Sequence, residues 1–447
     1  MSARRFGTQS LVRLLGNWQE TSSRTPLWRQ LAEALRLLIL DGRLTLQTRL
    51  PGERELAAAL NVSRTTIASA LGQLREEGFL YSRQGSGSRI VLPERPADLP
   101  LPAGISSTLN LSTAALSAGP EVHQAFQHAM TLLPPYLAQT GYDQQGLPVL
   151  REAIARRYSE RGLPTRPDEV MVVNGALSAI QGASCRPVGV ALPQQGWDCD
   201  GLAATIAQTA PRLAWLMPDF HNPTGRCMDA PTRQRVADIA ARTRTTLVID
   251  ETMADLWYNA PPPPPLASFN PDAAVLTIGS AGKSFWGGLR IGWIRASART
   301  IASLIQARDS LDLGTPLLEQ LACSWLLENA ATLLPPRRDM LKARRDMCET
   351  LMAEYFPRWR FSPPEGGLSF WVELPDMLAT LFSARAESQG IHIGTGTRFG
   401  LEGAFDRYLR LPFTLPDEAL RRAFSTLQPL WQSLAEQKEN TRLRKII

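Results

Sequence analysis

The 447-residue chain lacks the cysteine pattern of a disulfide framework or a zinc site. Its odd, dispersed set of five cysteines fits reduced thiols in a cytoplasm: Cys185, Cys199, Cys227, Cys323 and Cys348. No apolar run reaches the length of a membrane span, and no signal-peptide pattern opens the chain. Nothing in the sequence indicates a bound metal. We therefore expect a cytoplasmic protein whose fold rests on packing alone.

Lysine is absent from the first 92 residues, which hold 13 arginines and 7 acidic residues. The remaining residues hold 35 basic and 35 acidic side chains, so the net charge of +6 lies entirely in the N-terminal fifth. An excess made of arginine alone, on a small domain, suits binding to a phosphate backbone. A basic face that only meets solvent has the same composition, so charge alone leaves both interpretations open.

The length and the ordinary globular composition predict two or three domains. Residues 1–24 are polar and bear arginine, which indicates a mobile arm. Apolar residues at helical spacing predict helices over 26–41, 53–60 and 64–77. Ser63 is a typical N-cap for the last of these, and residues 79–91 predict two short strands. Three helices followed by a hairpin are typical of a winged helix-turn-helix domain, expected over residues 1–92.

A proline-rich linker is predicted at residues 93–107, which hold four prolines and few branched or aromatic side chains. Residues 108–447 alternate short apolar runs with helical segments, and each run ends in a polar or glycine-bearing motif. The runs cover 170–173, 213–217, 246–250 and 275–278. This alternation predicts an α/β sheet that carries its ligand at the ends of its strands.

Three motifs of this larger domain carry side chains suited to a phosphorylated aldehyde. The stretch 279–290, GSAGKSFWGGLR, places Lys283 near Arg290 among serine and glycine. A lysine amine can form a Schiff base with an aldehyde, while an arginine and hydroxyl groups hold a phosphate. The motifs HNPTG at 221–225 and LVIDE at 247–251 precede it, in that order.

The segment 26–90 closely resembles the winged helix of GntR-type transcription regulators. The similarity rests on LPGEREL at 50–56, VSRTTI at 62–67, LREEGFL at 74–80 and RQGSGS at 83–88. It implies that the recognition helix enters the major groove by its first turn and that glycines let the wing approach the minor groove. The DNA-contacting residues implied in this way are Arg54, Ser63, Arg64, Thr65, Thr66, Arg83, Gln84, Gly85 and Gly87. Ala68 stands where some relatives carry a basic residue, so one of their contacts is absent here.

Residues 108–430 resemble fold-type I aminotransferases, and the whole chain resembles the MocR subfamily of GntR-type regulators, in which such a domain senses an effector. The resemblance implies pyridoxal 5'-phosphate as cofactor, with Lys283 forming the internal aldimine. It assigns the pyridine nitrogen to Asp250, the ring hydroxyl to Asn222, the phosphate to Ser280, Arg290, Gly175 and Ala176, and an effector carboxylate to Arg410. Plainer alternatives are a surface lysine for Lys283, a helix cap for Asp250 and a structural salt bridge for Arg410.

Two departures from that family fall near the predicted site. Thr252 and Met253 follow Asp250 where relatives usually carry a tyrosine that bonds the cofactor. The chain is also shorter than the family by roughly thirty residues between Gln181 and Pro187, about one strand-plus-helix unit. That unit normally carries the aromatic ring that stacks on the cofactor. A sheet without one of its strands is one expected consequence.

The combined pattern predicts a homodimeric, DNA-binding transcription regulator of bacterial metabolism or transport genes. Its partners would be double-stranded operator DNA and an effector, which would be an amino acid, an amine or pyridoxal phosphate itself. Two alternatives stay open. One is an active aminotransferase with a vestigial DNA-binding head, and the other is a regulator whose cofactor site is non-functional.

Overall fold

The computed structural model describes residues 7–443 except 17, 20–24, 41–43, 45–47, 84–86, 91–107, 176–186, 194–195, 309 and 401–403. The chain divides into two compact units, Met1–Ser107 with Gly400–Ala404, and Thr108–Phe399 with Phe405–Ile447. Each unit has a hydrophobic core of its own. The predicted linker at 93–107 lies outside the described residues.

The described part of the N-terminal unit contains α1 (Thr8–Leu15), α2 (Leu27–Leu40), α3 (Glu53–Leu60), α4 (Arg64–Glu76), β1 (Leu80–Arg83) and β2 (Gly87–Ile90). Asn61 ends α3 in a left-handed conformation, and the Ser63 hydroxyl caps α4 by accepting a hydrogen bond from the Thr66 amide. The two strands pair antiparallel, with Leu80 opposite Ile90. From α2 onward, helices and hairpin follow the predicted order. This is a winged helix-turn-helix arrangement with α4 as its recognition helix.

The prediction of a mobile arm at the N-terminus was wrong for Thr8–Leu15, which forms α1. Leu11 and Leu15 are 0% and 8% exposed and belong to the core of the unit. Their spacing of four residues places both on one helix face. Contacts of α1 with α2 and α3 cover that face. Two leucines in a polar stretch are a weak signal for a helix. They are buried because α2 and α3 pack against them.

The C-terminal unit combines helices and strands along the whole chain. Its helices are α5 (Pro120–Leu132), α6 (Pro148–Glu160), α7 (Cys199–Thr209), α8 (Ala230–Thr243), α9 (Ala281–Ser284), α10 (Ala298–Arg308), α11 (Leu317–Glu328), α12 (Ala330–Tyr355), α13 (Ala379–Ser388) and α14 (Asp417–Leu443). Its strands are β3 (Leu109–Leu111), β4 (Val170–Val173), β5 (Leu213–Leu216), β6 (Thr246–Asp250), β7 (Val275–Ser280), β8 (Gly292–Arg295), β9 (Arg360–Phe361), β10 (Ser369–Glu373), β11 (Ile391–Thr395) and β12 (Tyr408–Pro412). This alternation confirms the predicted α/β class.

Two sheets organise this unit. The first has the order β4-β8-β7-β6-β5, in which β5, β6 and β7 run parallel and β8 is antiparallel to both neighbours. The second has the order β3-β11-β12-β10-β9, in which only the β3–β11 pair is parallel among the described pairs. Asp250 ends β6 and Ser280 ends β7. Because neighbouring parallel strands end at the same edge of a sheet, the motifs that follow them meet there.

Buried side chains anchor both sheets. Leu247 and Ile249 of β6 are fully buried in a cluster that includes residues of α7 and α8. The second sheet packs on α12, α13 and α14, where the rings of Phe356 and Trp359 stack with centroids 3.9 Å apart. Full burial of one large apolar side chain contributes about 1.5–3 kcal/mol. These cores hold the strands whose ends carry the candidate site.

The strand β5 forms one edge of the first sheet. Among the described strands it pairs only with β6, and its Leu213 and Trp215 are each 39% exposed. Residues 187–193 form no strand, and Val188 is 55% exposed. Both segments line a cleft of about 1760 Å³. The predicted shortening at 181–187 lies outside the described residues except for Pro187. Among the described strands, β5 ends the sheet, and a strand missing from the family's sheet would be missing at such an edge.

The described cysteines are free thiols: Cys199, Cys227, Cys323 and Cys348. Cys185 lies outside the described residues. In the same part of the chain, no cluster of histidine, cysteine, aspartate or glutamate has a geometry that would hold a metal ion. None of the helices that the structure describes is both long and apolar enough to cross a membrane.

Candidate functional site

Lys283 lies in α9, directly after β7, and is partly buried. Its Nζ donates a hydrogen bond to the carbonyl oxygen of Ala114 at 2.8 Å. Burial lowers the pKa of Lys283, the charge of Arg410 lowers this pKa further, and the carboxylate of Asp250 opposes both effects. A lowered pKa increases the fraction of neutral amine, the form that attacks an aldehyde. This environment is not that of a surface lysine.

Asp250 is 9% exposed at the end of β6. Its Oδ1 accepts a hydrogen bond from the Thr252 amide at 2.9 Å. Burial raises the pKa of Asp250, whereas hydrogen bonds from Thr252 and the charge of Lys283 oppose the rise. The residues that follow form a turn, so the carboxylate caps no described helix. Thr252 and Met253, which stand where the family usually carries a tyrosine, are themselves buried.

Glu251, the next residue, is buried. Its Oε2 accepts a hydrogen bond from Nη1 of Arg161 at 3.0 Å, and Arg161 also lies 3.5 Å from a carboxylate oxygen of Asp219. Burial raises the pKa of Glu251, and Arg161 acts against that rise. The pairing with Arg161 joins the end of β6 to the residue that follows α6, which holds the strand end in position.

Among the described residues, the hydrogen-bond partners of Arg410 on β12 are neutral. Its Nη1 donates to Oδ1 of Asn222 at 3.3 Å and its Nη2 donates to the carbonyl oxygen of Ser112. The guanidinium carbon lies 4.9 Å from the centroid of the Phe399 ring. Its Nε is buried without a hydrogen-bond partner, and no carboxylate of the described residues pairs with the side chain. A structural salt bridge therefore has no support here, whereas an unsatisfied buried guanidinium suits an anionic ligand.

Arg290 crosses the backbone after β4, at the place where the resemblance predicts a phosphate site. Arg290 Nη2 donates to the carbonyl oxygen of Asn174 at 3.2 Å. Gly175 has a φ of +86°, and a Cβ atom there would lie 2.8 Å from that same nitrogen. Glycine therefore serves both the left-handed backbone and the close approach of the arginine. Ser280 caps α9 through its hydroxyl, and Ala176 lies outside the described residues.

The HNPTG motif forms a tight loop beside Arg410. The Gly225 amide donates to the carbonyl oxygen of His221 at 2.6 Å, and His221 Nδ1 lies 2.9 Å from Oγ1 of Thr224. The Asn222–Pro223 peptide bond is cis. This loop holds the Asn222 side chain against the guanidinium of Arg410, in line with the joint placement that the sequence motifs predict.

Ser112 and Ala114 are site residues that the sequence analysis missed. Both follow β3, whose parallel pairing with β11 fixes this segment of chain. They contribute carbonyl oxygens, Ser112 to Arg410 and Ala114 to Lys283. A main-chain acceptor leaves no trace in the side-chain pattern, so no sequence signal identified them.

The first turn of α4 presents polar side chains to solvent. Arg64 is 61% exposed at its side chain, and its Nε lies 3.9 Å from a carboxylate oxygen of Glu53. The Ser63 hydroxyl lies 2.7 Å from that of Thr65 and 2.8 Å from that of Thr66. Helix N-termini and exposed arginines both favour an anionic backbone. Arg54 of α3 is exposed as well.

The wing depends on Gly87. Its φ is +75°, and a Cβ atom there would lie 2.6 Å from Nε of Arg49. Arg49 forms an isolated bridge with Arg89, so the glycine has a packing role inside the domain in addition to the predicted approach to DNA. The side chain of Arg83 and residues 84–86, which include Gln84 and Gly85, lie outside the described part of the chain.

Two protein families match the sequence. The family described as "Bacterial regulatory proteins, gntR family" matches residues 27–90. The family described as "Aminotransferase class I and II" matches residues 179–427, which is more than half of the chain.

Curated relatives share this arrangement at low identity. The uncharacterized HTH-type transcriptional regulator YisV of Bacillus subtilis (strain 168) is 26% identical over 419 residues, which cover 80% of this chain and 86% of YisV. The HTH-type transcriptional regulator NorG of Staphylococcus aureus (strain USA300) is 23% identical over 425 residues, 82% of this chain and 95% of NorG.

Aminotransferases match the larger unit. The 2-aminoadipate transaminase of Thermus thermophilus is 29% identical over 268 residues, 57% of this chain and 67% of that protein. The solved structure of LysN, alpha-aminoadipate aminotransferase from Thermus thermophilus, superposes with a TM-score of 0.67 at 22% identity, over 74% of this chain and 93% of LysN. The multiple substrate aminotransferase from Thermococcus profundus gives 0.66 at 23% identity, over 74% and 93%. These likenesses confirm the predicted fold of the larger unit.

Proposed function

We propose that this chain, which belongs to the class I and II aminotransferase family and carries a GntR-family DNA-binding domain in front of it, regulates transcription by sensing an amino acid or amine through pyridoxal phosphate at Lys283. The two matched families confirm the predicted MocR arrangement, a DNA-binding regulator domain fused to an aminotransferase domain. The cofactor, its binding residues and the effector are parts of the proposal. So are a homodimer, a location in the cytoplasm and the domain boundaries 1–92, 93–107 and 108–447.

The observation that carries the proposal is the convergence of a partly buried lysine, a buried aspartate and an unsatisfied arginine. Lys283 and Arg410 bind carbonyl oxygens only two residues apart in the chain, those of Ala114 and Ser112, and the charges of Arg410 and Asp250 both act on the pKa of Lys283. Arg410 keeps a buried Nε without a partner. Arg290 lies against the backbone at Gly175, where a phosphate would bind. A lysine, a carboxylate and an arginine fit the aldehyde, the ring nitrogen and the phosphate of one pyridoxal phosphate molecule.

When bound, the cofactor supplies an aldehyde for the lysine and an electron-withdrawing ring. The neutral amine of Lys283 would hold the cofactor covalently, and Asp250 would keep a proton on the ring nitrogen. Asn222 would donate to the ring hydroxyl, while Arg290 and Ser280 would hold the phosphate beside the backbone of Gly175. Arg410 would bind the effector carboxylate. Effector binding would then favour one of two arrangements of the dimer and change how the DNA-binding domains reach their half-sites.

The runner-up is a regulator whose cofactor site is non-functional and whose larger domain only dimerises. Thr252 and Met253 favour it, because they remove a tyrosine contact to the cofactor. The shortening expected between Gln181 and Pro187 favours it as well, since the missing unit would carry the ring that stacks on the cofactor. Spectroscopy of the purified protein distinguishes this case from the proposal.

When pyridoxal phosphate is added, the full-length protein should develop an absorbance band near the short-wavelength end of the visible spectrum. Replacing Lys283 by alanine should abolish this band. The covalent bond to the lysine amine produces this band, so no other change in the site should remove it as completely. The control is Lys342→Ala, which removes a lysine of α12 and should leave the band intact. If the parent protein shows no band, or if the band survives in Lys283→Ala, the larger domain does not bind the cofactor as proposed.

Replacing Arg64 by glutamine should weaken operator binding by about 1–3 kcal/mol, because this exposed side chain lies in the first turn of the recognition helix. Arg75→Gln removes the same charge from the last turn of α4, where Arg75 lies 3.5 Å from Glu53, and serves as the control. Binding isotherms at two salt concentrations separate loss of one specific contact from loss of general charge. Equal weakening in both variants would reject Arg64 as a base-contacting residue.

A further inference from the structure

The carboxylate of Asp255 joins the short helix that carries Lys283 to α6. Asp255 Oδ2 accepts a hydrogen bond at 2.8 Å from the hydroxyl of Ser284, the residue directly after Lys283. The other oxygen, Oδ1, accepts from Nη2 of Arg157. These two bonds run from α9, through the turn after β6, to α6. We call Arg157, Asp255 and Ser284 the α9 anchor.

The helix α9 has only four residues, Ala281–Ser284, so tertiary contacts must hold it in place. Ala281 and Phe285 belong to the same hydrophobic core as residues of α6. Burial of apolar surface has no preferred direction and does not fix how a helix is turned about its axis, whereas a hydrogen bond is directional. Ser284 is 1% exposed, and its hydroxyl supplies such a direction inside the core.

Arginines keep the carboxylate of the anchor charged. Burial acts to raise the pKa of Asp255. The charges of Arg157 and Arg161 oppose this effect, as does the hydrogen bond from Ser284. Arg338 adds a smaller contribution, and the resulting pKa lies below the ordinary value. Because a hydrogen bond to a charged group is roughly twice as strong as one between neutral groups, Ser284 has a strong acceptor near neutral pH.

The turn that holds Asp255 begins at Asp250, whose carboxylate acts on the pKa of Lys283. Within this turn, the Thr252 amide donates to Asp250 Oδ1 at 2.9 Å. One turn therefore supplies a carboxylate that acts on the lysine and a second carboxylate that binds the residue beside it. In this arrangement the Lys283 amine donates to the carbonyl oxygen of Ala114 at 2.8 Å.

We propose that Asp255 and Ser284 are positioning residues for Lys283: the α9 anchor confines the lysine amine to its partly buried place, where it can react with an aldehyde. This inference rests on the proposed function, because that function gives Lys283 its reacting role. Without the anchor, α9 can turn and the amine can move toward solvent. Burial and the charge of Arg410 lower the pKa of the confined amine, so its release should raise this pKa.

Limited acetylation of the full-length, cofactor-free protein with acetic anhydride, over a range of pH, tests this inference. Peptide mass spectrometry can follow each of the four lysines of the chain separately: Lys283, Lys342, Lys438 and Lys445. In Ser284→Ala, the pH midpoint of the Lys283 reaction should rise, and the rate at about pH 7.5 should fall about 10-fold. The midpoint does not depend on how easily the reagent reaches the amine. An unchanged midpoint would overturn the proposal.

Ser324→Ala is the matched control. Ser324 is also buried, at 3% exposure, but its hydroxyl donates to the carbonyl oxygen of Leu321 in its own helix, α11. The control should leave the Lys283 midpoint unchanged, and Lys342 should react at the same rate in every variant. A lower melting temperature in Ser284→Ala with an unchanged Lys283 profile would assign Ser284 a purely structural role and reject the proposal.

Asp255→Ala tests the carboxylate of the anchor by the sign of its effect. Removing a nearby negative charge acts directly to lower the pKa of a lysine, whereas loss of the anchor should raise it. The pH midpoint of the Lys283 reaction should therefore rise. The double variant with Ser284→Ala should shift it by less than the sum of the single shifts, because both changes remove the same hydrogen bond. A fall, or additive shifts, would count against the anchor, and Ser284→Ala decides the matter if Asp255→Ala does not fold.

Failure of this inference is distinguishable from failure of the proposed function. Acetylation reports on Lys283 without the cofactor, so it tests the anchor even if the protein develops no band with pyridoxal phosphate. A Lys283-dependent band together with an unchanged acetylation profile in Ser284→Ala would reject the anchor alone. Where the band forms, its half-saturation in Ser284→Ala should require about 10-fold more pyridoxal phosphate, and equal half-saturation would count against the anchor.

Discussion

Replacing Arg233 by alanine is expected to lower the free energy of unfolding by about 3–5 kcal/mol, the usual cost of removing one partner of a buried ion pair. Arg233 and Asp219 are both 0% exposed, and the guanidinium donates to the Asp219 carboxylate. Its remaining nitrogens donate to the carbonyl oxygens of Met228 at 2.9 Å and Pro264 at 3.1 Å. Alanine would leave the buried Asp219 carboxylate with only Arg161, at 3.5 Å, as a cationic partner among the described residues. It would also leave unpaired carbonyl groups and a cavity.

Urea unfolding followed by circular dichroism measures this loss. Arg235→Ala is the matched control, because it lies on the same helix and its pair with Asp200 is exposed, at 54% and 84% of the two side chains. An exposed pair contributes about 0–1 kcal/mol. The double variant Arg233→Met with Asp219→Asn should recover part of the loss, since it removes both charges together. Equal midpoints for Arg233→Ala and Arg235→Ala would mean that the buried pair does not stabilise the fold.

Acidification from about pH 6.5 to about pH 4 is expected to remove up to about 3 kcal/mol of stability through His221 alone. Burial lowers the pKa of His221 from 6.5 to about 4, and the charge of Arg226 contributes to the shift. The folded state thus holds the neutral ring, against Thr224 and the edge of Trp197. Its stabilising effect is complete above the unfolded pKa and is lost as the pH falls toward the folded one.

The difference between the parent protein and His221→Gln isolates this contribution. Glutamine keeps a hydrogen-bonding group near Thr224 but does not titrate, so the variant should lose less stability on acidification. Asp250 and Glu251 have raised pKa values and act in the opposite direction, because their protonated forms are favoured by folding, but both proteins share them. Parallel curves of unfolding free energy against pH for the two proteins would show that His221 does not set the acid sensitivity.

Local signals explain why the winged helix could be predicted closely. The Ser63 cap and the left-handed Asn61 act within a few residues of the chain, and the helix bounds follow from them. The order of strand-end motifs likewise predicted that Asp250, Lys283 and Asn222 belong to one site. Parallel strands bring their ends together whatever the residues between them are.

Other features depend on long-range packing, and the sequence carries at most a weak local signal for them. The burial of Leu11 in α1 requires α2 and α3, and the contact of Gly87 with Arg49 requires the folded hairpin. The carbonyl oxygens of Ser112 and Ala114 reach the site because β3 pairs with β11, a strand far away in the sequence. A sequence pattern records side-chain type and spacing, and it does not record which main-chain groups meet.

The position of β5 at the end of the sheet order has a consequence for how this domain tolerates loss of sequence. Each strand between β4 and β5 is held by ladders on both sides, and Asp250 and Lys283 belong to β6 and to the helix after β7. Loss of a unit beyond β5 would break no ladder among these inner strands. Such a loss would leave the apolar Leu213 and Trp215 on the exposed edge of the sheet, while Asp250 and Lys283 would keep their places.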